Sequence, residues 1–187
     1  MPLSGYSSTL PSEVLLNPAI VYVGTTVWGA TRGGVSWDPA VEHAEIAFDG
    51  QHSTVKGLTR ISKYAPKMTF TLLQLGTAAE IQRLHPGATT ATSTDTNITS
   101  VITPKDAGVL FATGDYLTDV RAVWELGDGI KYFAIYIPVA YVSKPSITGA
   151  ADGEGEIPIE LSACLDMTAG SIGDAPFKYE IRSALPA

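Results

Sequence analysis

The chain has 187 residues, enough for one ordinary domain with a sizeable core and no need of metal or disulfide staples. Hydrophobic residues make up 45% and charged residues only 17%, which excludes a solvated disordered chain. Twelve Lys plus Arg against nineteen Asp plus Glu leave a net charge of −7, which argues against a protein that grips nucleic acid through phosphates; the single cysteine, Cys164, excludes an internal disulfide framework and a Cys-rich zinc site.

The first ten residues carry no Lys or Arg and no apolar run of signal-peptide length, and no stretch reaches the roughly 20 apolar residues of a membrane helix. These features predict folding in a cytoplasm and no membrane partner. The sequon Asn97-Ile-Thr99 then has no glycosylation machinery to meet.

Short β-type runs punctuated by Gly, Pro and Asp dominate the chain. Ala19–Gly24 is β-branched and follows the turn dipeptide Asn17-Pro18. Gly24–Gly34 reads as a loop too rich in glycine for a stable element. Ala44–Asp49 alternates as a half-buried strand does. Lys67–Leu75 is the longest early strand candidate, with Met68 and Phe70 on one face and Thr69 and Thr71 on the other. Thr77-Ala-Ala-Glu80 is a capping box, and Pro86-Gly87 ends the short helix it starts, which needs a sheet to lie on. Ala88–Thr103, rich in threonine, is expected as a surface loop or a strand that orders against a partner.

The second half has stronger β character. Val120–Leu126 and Ile130–Ile137 flank Gly127-Asp-Gly129, a hairpin signature, and Val139–Val142 continues that sheet beyond Pro138. Ile157–Asp166 alternates, with Ile157, Ile159, Leu161 and Ala163 on one face; Pro158 marks an edge or a bulge. The fold class that follows is mainly β, a single domain spanning 1–187, built as a β-sandwich or open barrel with one short flanking α-helix.

No catalytic residue, cofactor site or metal site stands out. His43, Glu45, Asp49 and His52 are ligand types within ten residues, but strand alternation and a turn at Gly50 separate them. Asp152-Gly-Glu-Gly-Glu156 lacks the spacing of an EF-hand loop and reads as an acidic turn. Cys164 has no basic residue near it in sequence and reads as a small core residue. Trp28, Trp37 and Trp124 occupy unlike contexts, which favours packing over a sugar-binding platform. Charge is segregated: Lys56, Arg60, Lys63 and Lys67 fall in a run without acids, while Asp152, Glu154, Glu156, Glu160 and Asp166 fall in a run without bases. Two solvated loops explain this, as does a pair of complementary surfaces between copies of a self-assembling protein.

The order Gly29-Ala-Thr-Arg-Gly-Gly34, Ala44-Glu-Ile-Ala-Phe-Asp-Gly50, Val55-Lys-Gly-Leu-Thr-Arg60, Lys67-Met-Thr-Phe-Thr-Leu72 resembles the major tail tube proteins of long-tailed, non-contractile (siphovirus-type) phages. Chain length, the Asn17-Pro18 entry, the Thr77 helix and the closing strand after Glu156 are similar too. The resemblance implies a structural virion protein that forms stacked hexameric rings. Its neighbours would be tape-measure and tail terminator proteins, and DNA would pass through the tube without specific binding. It implies an extended arm over 24–67 that orders against a neighbouring copy, with Lys56, Arg60, Lys63 and Lys67 as an inter-subunit or inter-ring basic segment. It further implies lumen-facing strands at Glu42–Asp49, Lys67–Gln74 and Glu156–Ser162, with Glu42, Glu45, Glu156 and Glu160 as lumen acids. A carbohydrate-binding β-sandwich and a bacterial secretion tube protein of related fold are the alternatives.

Overall fold

The computed structural model describes residues 15–29, 31–47, 49, 53, 56–73, 77–148, 155–166 and 174–186. One antiparallel sheet organises them. Its strands are β1 (Leu15–Val23), β2 (Thr26–Val27), β3 (Thr31–Asp38), β6 (Lys67–Leu72), β9 (Leu117–Leu126), β10 (Tyr132–Pro145), β11 (Ile157–Cys164) and β12 (Lys178–Arg182). The spatial order is β2-β1-β9-β10-β11-β6-β3, with β12 on β10. A hairpin of β4 (Val41–Glu45) and β5 (Thr59–Tyr64) and a small one of β7 (Thr89–Ala91) and β8 (Val101–Thr103) stand outside it.

The sheet curls into an open barrel because one face of each long strand is apolar. Val21, Val120, Ile137, Leu161, Met68 and Leu72 point inward and are all fully buried. The curl brings β3 back to β1, where the Thr31 hydroxyl donates to the Ala19 carbonyl (3.2 Å). Trp28 plugs the interior: its backbone N–H donates to Val21 O (2.8 Å), and its ring meets Phe70 edge-on at 5.5 Å. Among the described residues no polar or charged residue is buried.

Long β10 is the spine. β9 covers one side of it from Tyr132 to Ala140, while β12 and then β11 share the other side. Pro138, which has no N–H to donate, lies opposite Asp119, the residue between two regular partners that takes φ +56. The β9–β10 hairpin closes through Gly129 at φ +65, and Asp128 accepts from the N–H groups of Ile130 and Lys131. These contacts hold the Asp128 carboxyl below the usual carboxylate range. The helix α1 (Ala78–Leu84) begins as its capping box dictates: Thr77 Oγ1 accepts from Glu80 N (3.3 Å) and Glu80 Oε2 from Thr77 N (2.9 Å). Its fully buried Leu84 anchors it to the core cluster.

Four expectations need correction. The glycine-rich 24–34 segment is not a plain loop: it contains β2 and the start of β3, and Gly33 and Gly34, both at positive φ, form a bulge between Arg32 and Val35 that lets the strand continue. The strand placed at 44–49 lies at Val41–Glu45, because the ladder with β5 starts directly after the Pro39-Ala40 turn. Asn17-Pro18 sits inside β1 at a register shift between Leu16 and Ile20 and does not precede the strand. Ala88–Thr103 contains the β7–β8 ladder, with Thr89, Thr90 and Ala91 exposed. Pro158 falls between the last β10–β11 pair, Pro145 with Ile159, and the isolated bridge Thr148 with Glu156.

Candidate assembly surface

Alternation that buries Ile157, Ile159 and Leu161 turns Pro158, Glu160 and Ser162 outward, and on β6 it turns out Lys67, Thr69 and Thr71. Strands β3, β6, β11 and the C-terminal part of β10 therefore present one continuous polar face. Its rows are set by register: Asp38, Lys67, Ser162 and Tyr141 lie side by side across the four strands. A cleft of about 540 Å³ crosses this face between the Gly33-Gly34 bulge, Thr69, Lys144 and Glu160.

Among the described residues both flanks of this four-stranded unit lack a further ladder partner. β3 ends the strand order, its Thr31 reaching β1 through the side chain, and Tyr141–Pro145 of β10 has β11 on one side and no described strand on the other, since β9 begins opposite Ala140. Unpaired N–H and C=O rows of this kind are templates for pairing with another chain. The β4–β5 hairpin prolongs the β3–β6 pair past a kink at Pro39-Ala40 and Ala65-Pro66, where Ala65 N donates to Ala40 O (3.2 Å). Among the described residues it pairs with no other strand, and it exposes Ile61.

The expected site residues fall into two groups. Glu156, Glu160 and Lys67 share the polar face. Glu156 meets Arg32 at 3.2 Å, and Glu160 accepts from Lys67 (3.1 Å) and from the Ser143 hydroxyl (2.9 Å), which together hold its carboxyl below the usual range. Glu42, Glu45, Arg60 and Lys63 lie on the hairpin, where Lys63 reaches Glu42 at 3.4 Å and Arg60 is exposed opposite Ala44. Lys56 is exposed at the turn before β5. Acids and bases that are segregated in sequence thus meet within one chain, Lys67 with Glu160 across the β6–β11 ladder. Arg32, Lys144 and Ser143 complete the face; nothing in their local sequence marks them, because their partners arrive from distant strands. Of the acidic turn, Asp152 and Glu154 lie outside the described residues, as does His52.

The tryptophans pack inward. Trp28 is fully buried, Trp37 lies edge-on to Phe177 (5.1 Å) and donates to the Tyr179 hydroxyl (3.1 Å), and Trp124 leans on Phe133 (5.8 Å). Cys164 is half-buried, and desolvation pushes its thiol up. Among the described residues no three His, Cys, Asp or Glu side chains gather as a metal site, and no helix is long and apolar enough to cross a membrane. What the surface can do chemically is add strands and exchange ion pairs.

No protein-family model matches the chain, and no curated protein matches it. Among solved structures the chain is similar to the cap of the anti-feeding prophage, its tube terminating cap, seen by cryo-electron microscopy: 13% of residues are identical over 98% of this chain and 100% of that one, with a TM-score of 0.49.

Proposed function

We propose that this chain is a structural virion protein, a tail tube subunit whose four-stranded polar unit joins copies edge to edge into a ring, with rings stacking into a conduit for DNA. The observation that supports this most directly is the pair of open flanks, β3 on one side and Tyr141–Pro145 on the other, bounding a sheet whose core face is already filled. Joining the β3 flank of one copy to the β10 flank of the next is a head-to-tail contact, which forms a ring when the rotation between copies closes. Closure pairs these two flanks and leaves the polar face lining the bore. Tape-measure and terminator proteins would then meet the ends and interior of the tube, and six copies per ring is the number the family resemblance implies.

The lining has a definite electrostatic character in this proposal. Arg32, Lys67 and Lys144 stand against Asp38, Glu156 and Glu160, and two of the bases are held in ion pairs. Short hydroxyls, Thr69, Thr71 and Ser162, fill the intervening positions. A duplex binds tightly where unpaired protein cations displace its condensed counterions into solvent; paired cations offer little such gain, so DNA slides. Glu42 and Glu45, carried on the hairpin, belong to the arm in this arrangement, together with Lys56, Arg60 and Lys63. Trp28 is buried, and Trp37 and Trp124 are half-buried against Phe177 and Phe133, which favours packing over the carbohydrate-binding alternative.

Negative-stain images of the purified protein, with mass measured by light scattering over a concentration series, test the proposal. Rings or hollow tubes are expected. A monodisperse monomer at every concentration, with no ordered particles, would overturn it.

A further inference from the structure

The loop from Pro104 to Tyr116 exposes three consecutive apolar residues, Val109, Leu110 and Phe111, and Leu110 is 89% exposed. The loop is held firmly. Lys105 and Asp115 form an ion pair whose side chains are 22% and 17% exposed, and Asp115 also accepts from Ala112 N (2.7 Å). The Phe111 ring packs on Tyr116 (5.8 Å) and Tyr141 (6.1 Å). A rigid loop that holds leucine in water gains nothing for its own fold, so the knob is shaped for an external contact.

Its position says what that contact is. Tyr116 precedes β9 and stands beside Tyr141, the first residue of the open β10 flank. Tyr141 lies in the row with Asp38, the last residue of β3, beyond which the β4–β5 arm projects. Knob and arm therefore leave the four-stranded unit at the same end, from opposite flanks. If the antiparallel alternation of β3, β6, β11 and β10 continues from copy to copy, β3 of the next copy runs antiparallel to β10. Its Asp38 end then comes beside Tyr141, and its arm passes over the knob. That arm exposes Ile61 (48%), on the face it shares with His43, and Ile61 joins neither core cluster among the described residues.

We propose that the Val109–Phe111 knob is the docking site for the β4–β5 arm of a neighbouring copy, with Leu110 packed against Ile61. This rests on the edge-to-edge assembly proposed above and assigns its apolar anchor. The polar flanks would set register, and the knob would slow dissociation.

Two measurements test it, both with Cys164→Ser as background. Leu110→Asp and Ile61→Asp should each raise the concentration needed for assembly by about tenfold or more, while circular dichroism and Tm of the monomer stay unchanged, since both residues are exposed. A chain carrying Ile61→Cys with Leu110→Cys should, on oxidation of assembled particles, give a ladder of covalent multimers; either substitution alone should not. Tubes that form with wild-type concentration dependence in Leu110→Asp, or that give no ladder, overturn the docking site and leave the assembly proposal standing. Failure of the wild-type chain to assemble at all overturns both.

Discussion

Replacing Trp28 by alanine and by phenylalanine sets two opposing contributions against each other in the barrel interior. The indole is fully buried, and its Nε1 has no hydrogen-bond partner among the described residues. Alanine removes nearly the whole ring and should cost about 3–5 kcal/mol, the usual loss for a large aromatic side chain in a close-packed core. Phenylalanine keeps most of the ring. It forfeits about 40 Å² of apolar burial, about 1 kcal/mol, and opens about 40 Å³ of space, about 1 kcal/mol more. Against this it removes a buried donor without a partner, which relieves about 1–3 kcal/mol. The net change for Trp28→Phe should lie within about 1 kcal/mol of zero. For a chain of this size that is a Tm shift of at most about 4 °C, against about 6–20 °C for Trp28→Ala. Urea titration followed by circular dichroism, at concentrations below assembly so that association does not add apparent stability, measures both. A Trp28→Phe loss of about 3 kcal/mol or more would refute the reasoning and show that the indole N–H is satisfied in solution.

Thr77→Ala should destabilise by about 1 kcal/mol through loss of the cap, and Thr77→Ser should restore most of it, both read by thermal unfolding. The Asp115 carboxyl, held below the usual range first by Lys105 and then by Ala112 N–H, stabilises the knob loop above the ordinary carboxylate pKa, and that contribution is lost as pH falls through its lowered folded value. Carbon-13 NMR titration should therefore place the Asp115 midpoint below the ordinary aspartate range, and a midpoint inside or above that range would contradict the assignment. A double-mutant cycle on Lys67 and Glu160, half and a quarter exposed, should give a coupling below about 1 kcal/mol that shrinks with added salt. Alkylation of Cys164 near pH 8 should be slow in the folded chain and accelerate on unfolding, as its raised thiol requires.

Local chemistry made part of the fold legible. The Thr77 capping box, the Gly127–Gly129 hairpin and the Ile157–Leu161 alternation are each written within ten residues, and each appears where those residues place it. β3 was not legible, because Gly33-Gly34 breaks the period-2 pattern with a bulge, and the strand exists only because β6 lies beside it. β12 escaped notice for a related reason: Lys178–Arg182 is short, and its partner is the interior of β10. Part of the candidate surface could be read. The Lys67 and Glu160 faces follow from alternation, but their pairing, and that of Arg32 with Glu156, depends on strand order, which no local window contains. The Leu110 knob carries no periodic signal at all; only its exposure marks it.

Strand order also decides when the molecule can begin to fold. β6 is completed at Leu72, but its interior neighbour β11 starts at Ile157, 157 − 72 = 85 residues later. At about 5–20 residues per second, β6 waits about 4–17 s on the ribosome for that neighbour. Hairpins close in about 1–10 μs, so β4–β5 and the β3–β6 pair can form at once, with Met68, Phe70 and Leu72 still facing water. During that interval the nascent chain offers an apolar sheet face and two free edges, and nascent chains sharing one message lie close together. Synthesis is thus the stage at which premature pairing between copies is most dangerous. A factor that shields residues 31–72 until β11 emerges should raise the yield of assembly-competent subunits more than any added stability in the finished fold.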